Sequence, residues 1–260
     1  MTEAALELFA NEYARHRDAE GRGYDCDTLL QLPYLDHGPH AAQWRVRART
    51  FDAFMEKVLR PAATRANRSL DVLDLGAGNG WLSYRVALEA HRVFALDIRD
   101  DAIDGLGAAT PFRSRSEGVQ CIIASFDSIP LSAGSADLAV FNASLHYATD
   151  LAAVLRDATR VTRSGGEIAI LDSPFYDRES DGLAMVQEKR AAFGSRADVL
   201  MALPFIEFLT RERLRKALPD LKWTRHRVRY GLAYELRPLV AAIRRRRRPS
   251  RFDLWVAKRP

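Results

Sequence analysis

Val72–Gly80 reads VLDLGAGNG, and its setting decides the architecture. An apolar run, Leu70–Leu75, leads into it and an amphipathic stretch, Trp81–Ala90, follows, so the glycines fall at a strand-to-helix turn. Gly76, Gly78 and Gly80 permit positive φ and let backbone approach a ligand with no Cβ in the way. Their spacing is GxGxG, whereas the dinucleotide fingerprint is GxGxxG. Asp74 stands two positions before the first glycine. A carboxylate there would oppose a pyrophosphate, and it suits a ligand carrying an ammonium and a sulfonium. A glycine turn that binds nothing is the alternative.

Outward from this turn, short apolar runs alternate with helical segments. Strands are expected at Arg92–Asp97, Val119–Ala124, Ala136–Phe141 and Gly166–Leu171, with helices at Asp101–Leu106 and Leu151–Val161. Such alternation predicts βαβ units and a mostly parallel sheet covered by helices on both faces. Residues 173–206 interrupt it, Thr210 can cap a helix through Leu218, and strands follow around Lys222–Tyr230 and Phe252–Lys258. Upstream, Ala4–His16 and Ala41–Leu59 have helical spacing, with Trp44, Phe51, Phe54, Met55 and Val58 near one stripe. Gly21–Pro39 reads as a loop between them, and Pro61 is expected to close the second helix.

Composition is ordinary for a globular chain of 260 residues, with 47% apolar and 28% charged residues. No apolar run approaches the roughly 18–20 residues that span a bilayer, and the N-terminus lacks a basic start followed by an apolar core. The two cysteines, Cys26 and Cys121, give no disulfide framework, and the scattered histidines give no metal site. A cytoplasmic protein with no membrane partner is the expectation. Charge is uneven: residues 221–260 hold 13 Lys and Arg against 2 Asp and Glu, whereas the first 220 hold 26 against 32. Arg244–Arg248 are consecutive, and they read either as an anion-seeking tail or as a solvated loop before the last strand.

In these residues the chain resembles the class I S-adenosylmethionine-dependent methyltransferases of small-molecule type. The resemblance is good over residues 68–175 and only in outline elsewhere. It implies a Rossmann-like, doubly wound, seven-stranded sheet with the last strand antiparallel. It further implies an N-terminal helical cap over residues 1–66, a cofactor-binding domain over residues 67–260, and a substrate-wall insertion over residues 173–207. The cofactor would be S-adenosyl-L-methionine, leaving as S-adenosyl-L-homocysteine. By position, Gly76, Ala77, Gly78 and Gly80 pack against its methionine part, and Asp74 holds its amino group directly or through water. Asp97, 17 residues after Gly80, ends the next strand and is the ribose acid, with Ile98 beside it; the bland reading of Asp97 is a helix cap. Ser125 and Phe126 fall in the adenine-binding segment, where the family usually has an acid at the position of Ser125; a surface turn is the alternative. Asn142 ends the fourth strand beside the reactive methyl. Arg163-Ser164-Gly165-Gly166 matches the turn before the fifth strand.

On the acceptor side, His146 is the best candidate base, against a packing or orienting role. Tyr147, Asp172 and Tyr176 are lesser candidates at the same rim, and Tyr13, His37 and Trp44 reach it if the N-terminal helices fold over as a lid. Asn142-Ala143-Ser144-Leu145 lacks the proline pair of the amide-nitrogen methylating relatives. The reaction implied is in-line transfer of a methyl to O, N or C of a small or medium organic acceptor. RNA recruited by the basic tail is the second reading and a non-catalytic cofactor-binding protein the third. A nicotinamide oxidoreductase is disfavoured by the glycine spacing and Asp74.

Overall fold

The structure, a computed structural model, describes residues 3–194 and 197–260. Seven strands, β1 (Asp71–Leu75), β2 (Arg92–Asp97), β3 (Val119–Ile123), β4 (Ala136–Asn142), β5 (Thr162–Leu171), β6 (Trp223–His226) and β7 (Leu254–Lys258), form one sheet. Their order is β3-β2-β1-β4-β5-β7-β6. β1 to β5 are parallel, and β7 runs antiparallel to both β5 and β6. This is the seven-stranded α/β architecture expected from the alternation of strands and helices. The order reverses between β1 and β4, neighbours in the sheet whose connections leave in opposite directions. That switch point opens a crevice at the carboxyl ends of the strands, where ligands of such sheets bind.

Alternation along the strands separates two apolar layers. Val72, Leu138, Val140, Ala169 and Leu171 face one cluster, which also takes Trp44, Phe51, Phe54, Val58 and Trp81. Leu73, Leu75, Ala139, Phe141, Ile168 and Ile170 face the other, with the helix Leu151–Val161 laid across them. Leu151, Val154, Leu155, Ala158 and Val161 of that helix are all buried. Their spacing is the stripe a sheet-covering helix needs, and each large side chain among them contributes about 1.5–3 kcal/mol on burial. Asp150 caps the helix by accepting from Ala153 N at 3.0 Å.

Two sequence expectations change. The helical run from Ala41 does not end before Pro61: it passes from Ala41–Phe54 through a widened turn, Met55–Leu59, into Arg60–Ala66, and stops at Asn67 with φ +51°. The wide turn makes room for the proline ring, and Pro61 then occupies the first turn of the next segment, where its missing N–H costs nothing. The helix expected at Asp101–Leu106 is a turn. Asp101 Oδ1 accepts from the amides of Ile103, Asp104 and Gly105 at 2.9–3.2 Å, which captures the donors a helix would use. Helical structure starts only at Leu106–Ala109, continuing into Thr110–Arg113.

In the stretch between β5 and the Thr210-capped helix Arg211–Ala217, the described residues form the helices Glu179–Phe193 and Ala197–Leu200; Ser195 and Arg196 lie outside the described residues. The N-terminal helix Glu3–Ala19 contacts Ala197–Leu200, so the N-terminal segment and the stretch after β5 pack together.

Candidate cofactor and acceptor site

One cavity of about 390 Å³ opens at the switch point. The glycine turn forms its floor. Gly76, Gly78 and Gly80 have φ of +78°, +56° and +78°. A Cβ on Gly76 would stand 2.4 Å from Ser144 Cβ, so this glycine is required by strand packing as well as by its backbone conformation. Gly76, Ala77, Gly78 and Asn79 line the cavity, whereas Gly80 caps the following helix, Trp81–Ala87, beneath it.

Asp97 closes one end of the cavity. It is 9% exposed, and it accepts from Gly78 N at 2.7 Å and Arg99 N at 2.9 Å. It therefore braces the glycine turn while leaving one lone pair on each oxygen for a ligand's hydroxyls. Burial pushes its carboxyl above the ordinary range, against the pull of those amides. Ile98, Ser125 and Phe126 share this wall. Ser125 Oγ accepts from Asp127 N at 3.1 Å, and the Phe126 ring stands edge-on to Phe141 with centroids 5.9 Å apart.

Asp74 lies under the turn and is not on the cavity wall. It is fully buried, and its Oδ2 accepts from Ser83 Oγ at 2.7 Å. Its Oδ1 has no hydrogen-bond partner, nor does the buried Oδ1 of Asn142, which does line the cavity at the tip of β4. Two unsatisfied oxygens, one on the wall and one behind the floor, fit a ligand with an ammonium group reached directly by Asn142 and through water by Asp74. Burial, with Asp97 adding like-charge repulsion, lifts the Asp74 carboxyl to about 7. The folded chain thus holds a proton that the unfolded chain has released, and this group makes stability fall as pH rises from about 4 to 7. Asp74→Asn keeps the size and removes that loss. The ligand-free variant is expected to melt above the wild type at pH 8 and close to it at pH 4, as thermal denaturation can check.

The other end of the cavity is built on two strained strand tips. Ala143 after β4 and Asp172 after β5 take φ of +55° and +49°, and Ala143 N donates to Leu171 O at 2.9 Å. Left-handed conformations in non-glycine residues cost roughly 1–3 kcal/mol and cluster where strain serves a site. Asp172 is 7% exposed and lines the cavity. Burial raises it to about 6, while the nearby Arg47 guanidinium and Thr50 hydroxyl pull it down. Arg47 lies over Trp44 at 5.0 Å and also lines the cavity. No ion pair joins it to a carboxylate among the described residues.

His146 and Tyr147 line the same end. Burial and the positive charges of Lys189 and Arg47 depress the imidazole to about 3, so at neutral pH it is uncharged and a weak base. Its Nδ1 lies 3.5 Å from Ser173 Oγ. Tyr13 reaches across from the N-terminal helix, its hydroxyl 2.9 Å from that of Tyr147, with Phe9 and Phe205 completing an aromatic roof. Trp44 lines the cavity too. His37 does not: it is exposed and paired with Asp36. Tyr176 is also elsewhere, accepting from Arg247 Nη1 at 3.1 Å and packing edge-on against Phe208. The bridge pairing of Phe175 with Leu209 and Arg251 carries the chain away from the cavity before residue 176.

Asp104 was not singled out by the sequence. It accepts from Arg17 Nε at 2.6 Å and from Asn79 Nδ2 at 3.1 Å, tying the N-terminal helix to the glycine turn. Three segments meet there, and no local pattern announces it.

Residues 73–170 match the family model described as methyltransferase domain. Malonyl-[acyl-carrier protein] O-methyltransferase of Erwinia pyrifoliae is 28% identical over 114 residues, covering 44% of this chain and 40% of that protein. The tRNA 5-carboxymethoxyuridine methyltransferase of Escherichia coli is 30% identical over 132 residues, covering 48% of this chain and 47% of that one. In each case the match spans less than half the relative's length. Among solved structures, a geranyl diphosphate methyltransferase in complex with GPP and sinefungin superposes with a TM-score of 0.61 at 15% identity, covering 99% of this chain and 100% of that one. Residues 73–170 thus match a methyltransferase domain, within a chain that shares its fold with a solved methyltransferase structure.

Proposed function

We propose that the chain transfers a methyl group from S-adenosylmethionine to a small or medium organic acceptor. The observation carrying this reading is the cavity that joins an adenosyl-type wall, Asp97 with the glycine turn, to an acceptor wall with a buried carboxylate, Asp172. Asp97, Asn142, Phe126 and the backbone of Gly76–Gly78 would hold the cofactor. When bound, S-adenosylmethionine supplies a sulfonium-activated methyl whose leaving group is already in place.

The chain's own work is then positioning, exclusion of water and proton handling. Tyr13, Tyr147, Phe9 and Phe205 roof the acceptor end and keep water out. Asp172 takes the proton from a hydroxyl or ammonium nucleophile, its value of about 6 leaving it ionised at neutral pH yet basic enough to accept. Arg47 beside it favours the ionised form and offers a guanidinium to an acidic group on the acceptor. His146, uncharged, serves as a hydrogen-bonding wall residue.

An RNA acceptor has the E. coli relative and the exposed arginine run in its favour. Against it, none of Arg244–Arg248 lines the cavity. Calorimetry tests the cofactor reading: S-adenosylmethionine and S-adenosylhomocysteine are expected to bind between about 1 μM and 1 mM, the usual range of metabolite sites. Tight NAD binding with no binding of either would overturn it. A metabolite extract incubated with methyl-labelled cofactor identifies the acceptor, and label entering only tRNA or rRNA would replace the small-molecule reading with the second one.

A further inference from the structure

The segment before the last strand carries a surface that the cavity does not use. Leu232–Glu235 and Arg237–Ile243 are helical and share continuous hydrogen bonding: Leu236 N donates to Leu232 O, Val240 N to Leu236 O and Arg244 N to Val240 O, at 2.9–3.0 Å. Leu232, Leu236, Leu239, Val240 and Ile243 follow one another at intervals of four, three, one and three, so they fall on one stripe about 100° wide. All five face solvent, with exposures of 83, 50, 57, 42 and 74%. The opposite face anchors the helix. Tyr234 packs on Tyr230 with centroids 4.4 Å apart, and Arg237 lies 3.7 Å over the Tyr234 ring while donating to Ser250 O at 2.6 Å. The apolar stripe is therefore held outward by contacts that fix the other side.

Arg244, Arg245 and Arg246 come immediately after, exposed and without a carboxylate partner among the described residues. Arg247 is instead drawn back to Glu188, at 2.8 Å. We propose that residues 232–248 lie flat on an anionic lipid surface, the leucine and isoleucine stripe entering the headgroup–acyl boundary and the free arginines meeting lipid phosphates. An apolar ridge flanked by uncompensated cations is the composition of a surface-lying helix. Other occupants fit less well. A nucleic acid would engage the arginines and leave five large apolar side chains in water. A second copy packed ridge on ridge would cover the leucines but brings the three free arginines no free carboxylate from this segment, because Glu235 is already paired with Arg227 and Arg251. A protein partner needs roughly 20–30 residues a side, far more than one ridge supplies. The absence of a bilayer-spanning helix among the described residues does not bear on this, because such a helix lies on the membrane and does not cross it.

The test uses the full chain with extruded vesicles, one set of phosphatidylcholine and one of phosphatidylcholine with phosphatidylglycerol, read by co-sedimentation. Binding is expected to the anionic set and to be at least about tenfold weaker to the neutral one. Ile243→Asp is expected to weaken binding by about tenfold or more, and a combined Arg244→Ser, Arg245→Ser, Arg246→Ser variant by about 100-fold, with melting temperatures unchanged. Equal binding to both vesicle types, binding to neither, or an Ile243→Asp variant that binds like the wild type overturns the proposal. So does a dimer in size-exclusion chromatography that Ile243→Asp dissolves while vesicles fail to bind.

Discussion

Asp97→Ala is expected to weaken S-adenosylmethionine binding by about 10²–10³-fold, the loss of two hydrogen bonds from ligand hydroxyls to a charged acceptor. The carboxylate sits at the tip of β2 with one lone pair on each oxygen committed to the backbone of Gly78 and Arg99. Asp97 lines the cavity, so the pairs left over are free for two vicinal hydroxyls of a ligand there. S-adenosylhomocysteine carries the same ribose, so it is expected to lose affinity by the same factor. The substitution also leaves two amides without acceptors, which costs about 1–3 kcal/mol each where they are buried. A lower melting temperature should therefore accompany the weaker binding. The two effects separate experimentally: titration calorimetry below the melting transition reads the affinity of the folded fraction, and unchanged affinity for both ligands would remove Asp97 from the ribose role.

How far the sequence reached follows from how local each feature is. The β1 turn, the acid at the end of β2 and the amphipathic helix Leu151–Val161 are each written within a dozen residues, and their strands, turn and helix are where the pattern put them. The continuation of the helix past Pro61 and the turn at Asp101 depend on a widened helical turn and on a side chain that caps three amides. Neither device has a periodic signature. The half of the cavity around the glycine turn and Asp97 comes from consecutive strand tips, so its residues could be named together from the sequence. The other half joins Tyr13, Arg47, Tyr147 and Asp172 from four separated segments, and Arg47 in particular lies on a helix whose pattern shows only that Trp44 and Phe51 are buried. Proximity also reordered the candidate bases. A histidine after β4 is the obvious choice by type, but burial, aided by the charges of Lys189 and Arg47 from distant parts of the sequence, removes its basicity.

Asp172→Asn is expected to lower kcat by about 10²–10³-fold, within the range general-base catalysis supplies, with cofactor affinity unchanged. Asn is nearly isosteric and tolerates the left-handed backbone that residue 172 adopts, so folding should survive. The pH dependence gives the sharper reading. Because the base must be ionised, wild-type kcat/KM for the acceptor should rise with pH through about 6 and level off above it. That rising limb should vanish in the Asn variant. His146→Ala, by contrast, should change kcat only a few-fold and leave the limb in place, since an imidazole held to about 3 is uncharged throughout this window. If His146→Ala abolishes the limb and Asp172→Asn does not, the roles are reversed. If neither matters, the nucleophile arrives already deprotonated, as a carboxylate does, and needs no base. The residue that then carries acceptor binding is Arg47, and Arg47→Gln should raise the acceptor KM while leaving kcat and cofactor affinity where they were.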